Sequence, residues 1–331
     1  MKRSHYIRIV PAGLGFLILI LDGETALAGI REGIDICLWT VIPAIFPFLF
    51  ISSVLTDSLY GKKMPSIRRL AQWYKIPEDA GCLLLIGYLG GYPTGAANAA
   101  RIWREGGTDS ETAERLAVVC NNSGPAFLFG ILGSLFSQKS LVWLLWAVHI
   151  ISGLLTARIL PSPKMNSCKI TSIAGKSIPR LLRSSTMTMA TICSWILIFR
   201  MILSFGERWF FWMLPERLCV WVSGILELSN GCLALRQIPS QELRFYLAAF
   251  LLGFGGFCVA MQTFSVCEGL KLSLYLPGKL LHGFISVLLA ILTYRVGPGI
   301  CLIVILIIWP LILSFPRKIE KRGSNSTSGV V

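Results

Sequence analysis

Four short stretches interrupt long apolar runs with residues able to hold a small polar solute: Gly87-Tyr-Leu-Gly-Gly-Tyr-Pro-Thr-Gly-Ala96, Cys120-Asn-Asn-Ser-Gly-Pro-Ala126, Gly224-Ile-Leu-Glu-Leu-Ser-Asn-Gly231 and Gly253-Phe-Gly-Gly-Phe257. A membrane interior offers no water to free backbone groups, so a helix breaks there only where it is buried in protein or lines a cavity. In the first stretch Gly91, Tyr92, Pro93, Thr94 and Gly95 suit a hairpin tip with accessible backbone; close packing by small residues is the plainer alternative. In the second, Asn121, Asn122, Ser123 and Gly124 lead to Pro125 as the first residue of a new helix, whose free N–H groups favour an anionic group; hydrogen bonding of the two amides between helices is the plainer alternative. The third centres on Glu227, with Ser229 and Asn230 beside it. An intramembrane carboxylate is a functional candidate that can take up H+ or Na+, bond a substrate, or pair with a buried arginine such as Arg200. The fourth places Gly255 and Gly256 before Gln262. Together these residues form the expected substrate-binding set. Lys271 and Lys279 read as helix-end anchors, either of them able to draw an anion towards the cavity, and His149 reads as a packed or interfacial histidine.

The segments that must position these breaks are set by composition. Of 331 residues 54% are hydrophobic and 15% charged, with a mean hydropathy of +0.67, which excludes an ordinary soluble enzyme. Apolar runs of about 20 residues cross a bilayer core. Here they are Ile7 to Leu21, Leu38 to Leu55, Leu141 to Leu160, Thr186 to Phe205, Leu243 to Val266, Leu280 to Tyr294 and Gly299 to Phe315. The first run follows a basic head, so it serves either as a cleaved signal peptide or as a first membrane helix. The chain is polytopic under both readings.

The formal charge of +14 comes from Lys and Arg gathered in short clusters between apolar runs. Such clusters read as membrane topology rather than nucleic-acid binding. Placing them all on one side puts both termini in the cytoplasm. Cys82 to Arg101 then dips in and returns as a hairpin, and Leu116 to Phe136 crosses as one broken helix. Phe210 to Leu235 makes a hairpin from the opposite face, followed by a helix broken at Gly253 to Gly256. The expected fold is an all-α polytopic membrane protein of two inverted repeats, each with a re-entrant hairpin and a broken transmembrane helix. The expected divisions are an N-terminal helix (1–25), a first repeat (26–160), a basic linker (161–176), a second repeat (177–295), a C-terminal helix (296–316) and a disordered tail (317–331).

Nothing in the chain matches a phosphate-binding loop, HExxH or GxSxG, so no enzymatic activity is expected. The ten Cys form no CxxC pair, and no metal or cofactor is expected.

The segments GYPTGA (91–96), CNNSGPAF (120–127), GILELSNG (224–231) and LLGFGGFCVAMQ (251–262), in this order, resemble the YlbJ family of sporulation integral membrane proteins, also called SpoVV, which carry a nucleoside-recognition or Gate domain. GIREGIDICLWTVIPAIFPFLF (29–50) and LLHGFISVLLA (280–290) extend the resemblance over most of the chain. The resemblance implies a protein of the outer forespore membrane in a spore-forming host, and transport of dipicolinic acid. The expected partners are thus a small anionic solute, membrane lipids and a coupling H+ or Na+, with an oligomer left open. The alternatives are a non-transporting scaffold or partner subunit for spore maturation, or a Gate-domain carrier of nucleosides or another solute.

Overall fold

Helices form wherever the apolar runs lack Gly, Pro or Asn clusters, and they stop at those clusters. The computed structural model describes residues 2–161 and 175–297, with side chains from residue 9 onward apart from residue 11. The expected C-terminal helix and tail, and most of the expected linker, lie outside the described residues.

The chain starts with α1 (Lys2–Leu21) and α2 (Gly23–Ile36), the latter capped by the Asp22 carboxylate, which accepts from the Thr25 N–H at 3.3 Å. A π-helical turn over Cys37–Val41 joins α2 to α3 (Ile42–Leu59) without a stop, so that Gly23–Leu59 forms one 37-residue apolar helix. The first half continues through α4 (Pro65–Trp73), the pair α5 (Cys82–Gly90) and α6 (Thr94–Arg104), the interrupted α7 (Ser110–Val119) and α8 (Pro125–Gly130), and α9 (Lys139–Ile159). The second half has the same order. It runs through α10 (Ile178–Trp209), the pair α11 (Glu216–Leu226) and α12 (Leu228–Ala234), the interrupted α13 (Gln241–Phe254) and α14 (Gly256–Val266), and α15 (Tyr275–Val296).

Like elements of the two halves pack on one another. The long helix α2–α3 lies along α10, and α9 lies along α15. The broken helices trade partners, α13 packing on α9 and α7 on α15. Gly29 and Gly33 let α2 approach α10: a Cβ on Gly29 would fall 2.9 Å from the Met201 Cα, and one on Gly33 3.2 Å from the Leu197 Cα. One apolar core gathers α8, α9, α11 and α13, and a second gathers α4 to α7.

Among the described residues five helices are long and apolar enough to cross a membrane. Their outer faces carry large apolar side chains; on α15 the stripe Phe284, Leu288 and Leu292 is at least 60% exposed. A continuous stripe of that kind is a liability in water and an ordinary surface in lipid.

Candidate functional site

The first-half site is made by glycines that admit a carbonyl. A Cβ on Gly87 would lie 1.7 Å from the Cys120 oxygen, and one on Gly95 would lie 1.8 Å from it. The pair α5 and α6 therefore closes directly on the end of α7. Between them the chain turns at Gly91, whose φ of +75° suits glycine, and its backbone lies against Gly124: a Cβ on Gly124 would sit 2.9 Å from the Gly91 nitrogen. The two stretches singled out separately in the sequence thus form one backbone-to-backbone junction.

The polar side chains of that junction are largely spent on holding it. Asn121 donates from Nδ2 to Thr263 Oγ1 and to Tyr275 Oη, both at 3.0 Å, and Asn122 donates to the Val119 carbonyl at 2.9 Å. The Ser123 N–H donates to His149 Nε2 at 3.2 Å. The helix begun by Pro125 runs for only six residues. Few peptide dipoles are aligned in so short a helix, so its dipole adds little to any pull on an anion there.

The second-half site repeats the construction. Gly224 and Gly231 touch, a Cβ on Gly231 falling 1.9 Å from the Gly224 Cα, so α11 and α12 meet backbone to backbone. Glu227 stands at the turn itself. Its Oε1 accepts from the Ser229 N–H at 3.0 Å and its Oε2 from the Asn230 N–H at 2.7 Å, capping α12. Arg200 does not pair with it; that guanidinium binds Glu32 and Glu207. Gly255, left-handed at φ +82°, ends α13, and Gly256 backs onto the Gly224 and Ile225 carbonyls.

Tyr92 joins the halves. Its hydroxyl donates to the Leu252 carbonyl at 2.9 Å, near the end of α13, and its ring covers Gly255. Lys279 lies behind the junction and is 2% exposed. Expected as a helix-end anchor, it instead reaches inward because α15 runs past the first-half break. Its Nζ donates to the Asn121 carbonyl and lies 3.4 Å from Asn122 Oδ1, 5.1 Å from the centre of the Tyr92 ring and 5.9 Å from that of Tyr275. Behind it His149 and His282 stack at 4.8 Å, and Ser152 and Ser286 share a hydrogen bond of 2.8 Å. The packed role expected for His149 agrees with this seam.

In front of the junction a cavity of about 420 Å³ opens between the halves. Of the sequence-derived set, Gly91, Tyr92, Ser123, Gly124, Glu227, Ser229 and Gln262 line it. Pro93, Thr94, Gly95, Asn121, Asn122, Asn230, Gly255 and Gly256 do not, and they build the frame around it. The remaining wall was not anticipated. It includes Trp39, Thr40 and Val41 of the π-helical turn, with Ile192 and Ile196 of α10. A π turn is frequent at functional sites, and Thr40 followed by Pro43 in an apolar run was the available signal.

A helical chain with several membrane-length apolar helices, whose buried polar groups gather where helices break, is an integral multi-pass membrane protein. The sporulation integral membrane protein YlbJ of Bacillus subtilis (strain 168) is 23% identical to it over 315 residues, covering 80% of this chain and 76% of that protein. That similarity runs through most of both chains and agrees with the resemblance carried by the four interrupted stretches. No protein-family model matches it, and no solved structure does.

Proposed function

We propose that the chain is a secondary transporter rather than an enzyme, and that it moves a small anionic metabolite through the cavity between its halves. In a spore-forming host the solute is dipicolinic acid and the membrane the outer forespore membrane, with both chain termini on the cytoplasmic side. The reading rests on one observation: the turns of both helix pairs, at Tyr92 and Glu227, border the same cavity. The matched packing of like elements across the halves supports two inverted Gate-like repeats, an architecture that alternates access by rocking one unit against the other. A volume of about 420 Å³ suits a single small aromatic solute.

Glu227 is the one charged residue lining this cavity among the described residues. A dianion beside an ionised carboxylate is repelled, more strongly in an apolar wall than in water. Uptake of a proton by Glu227 removes the repulsion, so H+ is taken as the coupling ion, with Na+ at the same carboxylate as the alternative. The scaffold reading draws on a different observation: Asn121 and Asn122 are occupied by internal hydrogen bonds, and much of the wall is apolar.

Radiolabelled dipicolinate uptake into proteoliposomes, with imposed proton or sodium gradients, separates the two. The transporter reading expects saturable uptake driven by an inward proton gradient, lost in Glu227→Gln and reduced in Asn122→Ala, with both variants still inserted in the membrane. Full flux in both variants refutes the site, and no uptake by folded wild-type protein of dipicolinate, nucleosides or other small anions favours the scaffold.

A further inference from the structure

A second cavity, of about 300 Å³, lies between α3, α6, α10 and the end of α14, and no residue lines both cavities. Arg101, Arg104 and Lys176 line it against a single carboxylate, Glu105. Three of these groups are already engaged: Lys176 pairs with Glu105, and Arg104 donates to the Val266 carbonyl. Arg101 is different. It is only 8% exposed, and its Nη1 reaches one oxygen of Asp57 at a long 3.4 Å. The other oxygen of Asp57 accepts from the Lys176 N–H at 2.8 Å, so that carboxylate is shared. The Nε and Nη2 atoms of Arg101 have no hydrogen-bond partner among the described residues.

Buried donors without acceptors destabilise a folded protein, more so when charged. The Nε–Nη2 edge of a guanidinium is also the fork that takes a carboxylate or phosphate through two parallel hydrogen bonds. Asn98, Thr188 and Thr191 from the same lining supply further polar contacts. We propose that this cavity binds a small oxyanion, a carboxylate or a phosphate, on the free edge of Arg101. Both a free anion and the headgroup of an anionic lipid present that chemistry.

The test is calorimetric titration of the full-length protein, in phosphatidylcholine nanodiscs, with inorganic phosphate and separately with acetate. Saturable binding of at least one probe is expected, weakened about tenfold or more in Arg101→Gln and unchanged in Gly23→Ala, a position that lines neither cavity. Thr188→Trp adds bulk to the cavity wall from α10 while keeping Arg101, and is expected to weaken binding to a similar degree. This second variant keeps the test decisive if Arg101→Gln misfolds. Nanodiscs containing phosphatidylglycerol distinguish the sources. Competition there identifies a lipid headgroup as the occupant, whereas unaltered affinity identifies a free anion, and either result supports the site. No saturable binding to folded wild-type protein, or binding that survives both variants, overturns it. Binding is read without flux, so the outcome is independent of whether any solute crosses the membrane.

Discussion

Replacing Gly95 with alanine should unseat the first-half helix pair. The added methyl would lie 1.8 Å from the Cys120 carbonyl oxygen, whereas real Cβ atoms essentially never come within 3.0 Å of a neighbour, so α6 and the end of α7 must part by at least 3.0 − 1.8 = 1.2 Å. The obstacle is backbone, with Gly87 pressing on the same oxygen from α5, so no side chain can swing away to relieve it. Forcing a methyl into such a place costs about 3 kcal/mol. Over a chain of 331 residues that corresponds to a fall in melting temperature of roughly 4 °C. Because this pair carries the Tyr92 turn that borders the cavity, flux should fall as well. Gly23→Ala is the control: nothing lies within 4 Å of the added methyl, and its effect should stay within about 1 kcal/mol. Thermal unfolding in detergent and uptake in proteoliposomes read the two consequences. Wild-type melting and wild-type flux in Gly95→Ala would refute the idea that this close approach seats the pair.

Arg115→Met should destabilise strongly. The buried guanidinium donates to the carbonyls of Tyr74, Lys75, Ala157 and Pro161, tying together the ends of α4 and α9. Methionine leaves these acceptors without their donor at a cost of about 3–5 kcal/mol, seen as loss of monodisperse protein in size-exclusion chromatography. Glu207→Gln should do little, because its pair with Arg200 is half exposed on the Glu207 side, at 47%, and Glu32 remains. The expected change is below about 1 kcal/mol, checked by the same melting measurement.

The breaks were legible in the sequence because glycine, proline and asparagine have few uses inside an apolar helix other than to stop it. Gly255 and the Asn121 to Pro125 stretch end helices as their residue types imply. The destinations of the freed polar groups were not legible. Asn121 finds Thr263 and Tyr275, 142 and 154 residues away, and local pattern carries no information about such partners. Lys279 was misread for the same reason: near the start of an apolar helix, the sequence gives a snorkelling lysine and a buried one the same signature. The wall formed by Trp39 to Val41 was signalled only by Thr40 and Pro43, a faint mark in a run otherwise compatible with a lipid-facing helix.

The hydroxyl of Tyr92 links residues 160 positions apart, one at a turn of the first half and one near the end of α13 in the second. Any rearrangement that separates these elements must break that bond and lift the ring from Gly255. A single hydrogen bond contributes about 1 kcal/mol, which shifts a two-state population about fivefold. Such a link biases the closed arrangement without locking it. The two halves are then energetically coupled through a contact that thermal motion can open, and a solute in the cavity would need to supply only a comparable difference in affinity to reverse the preference.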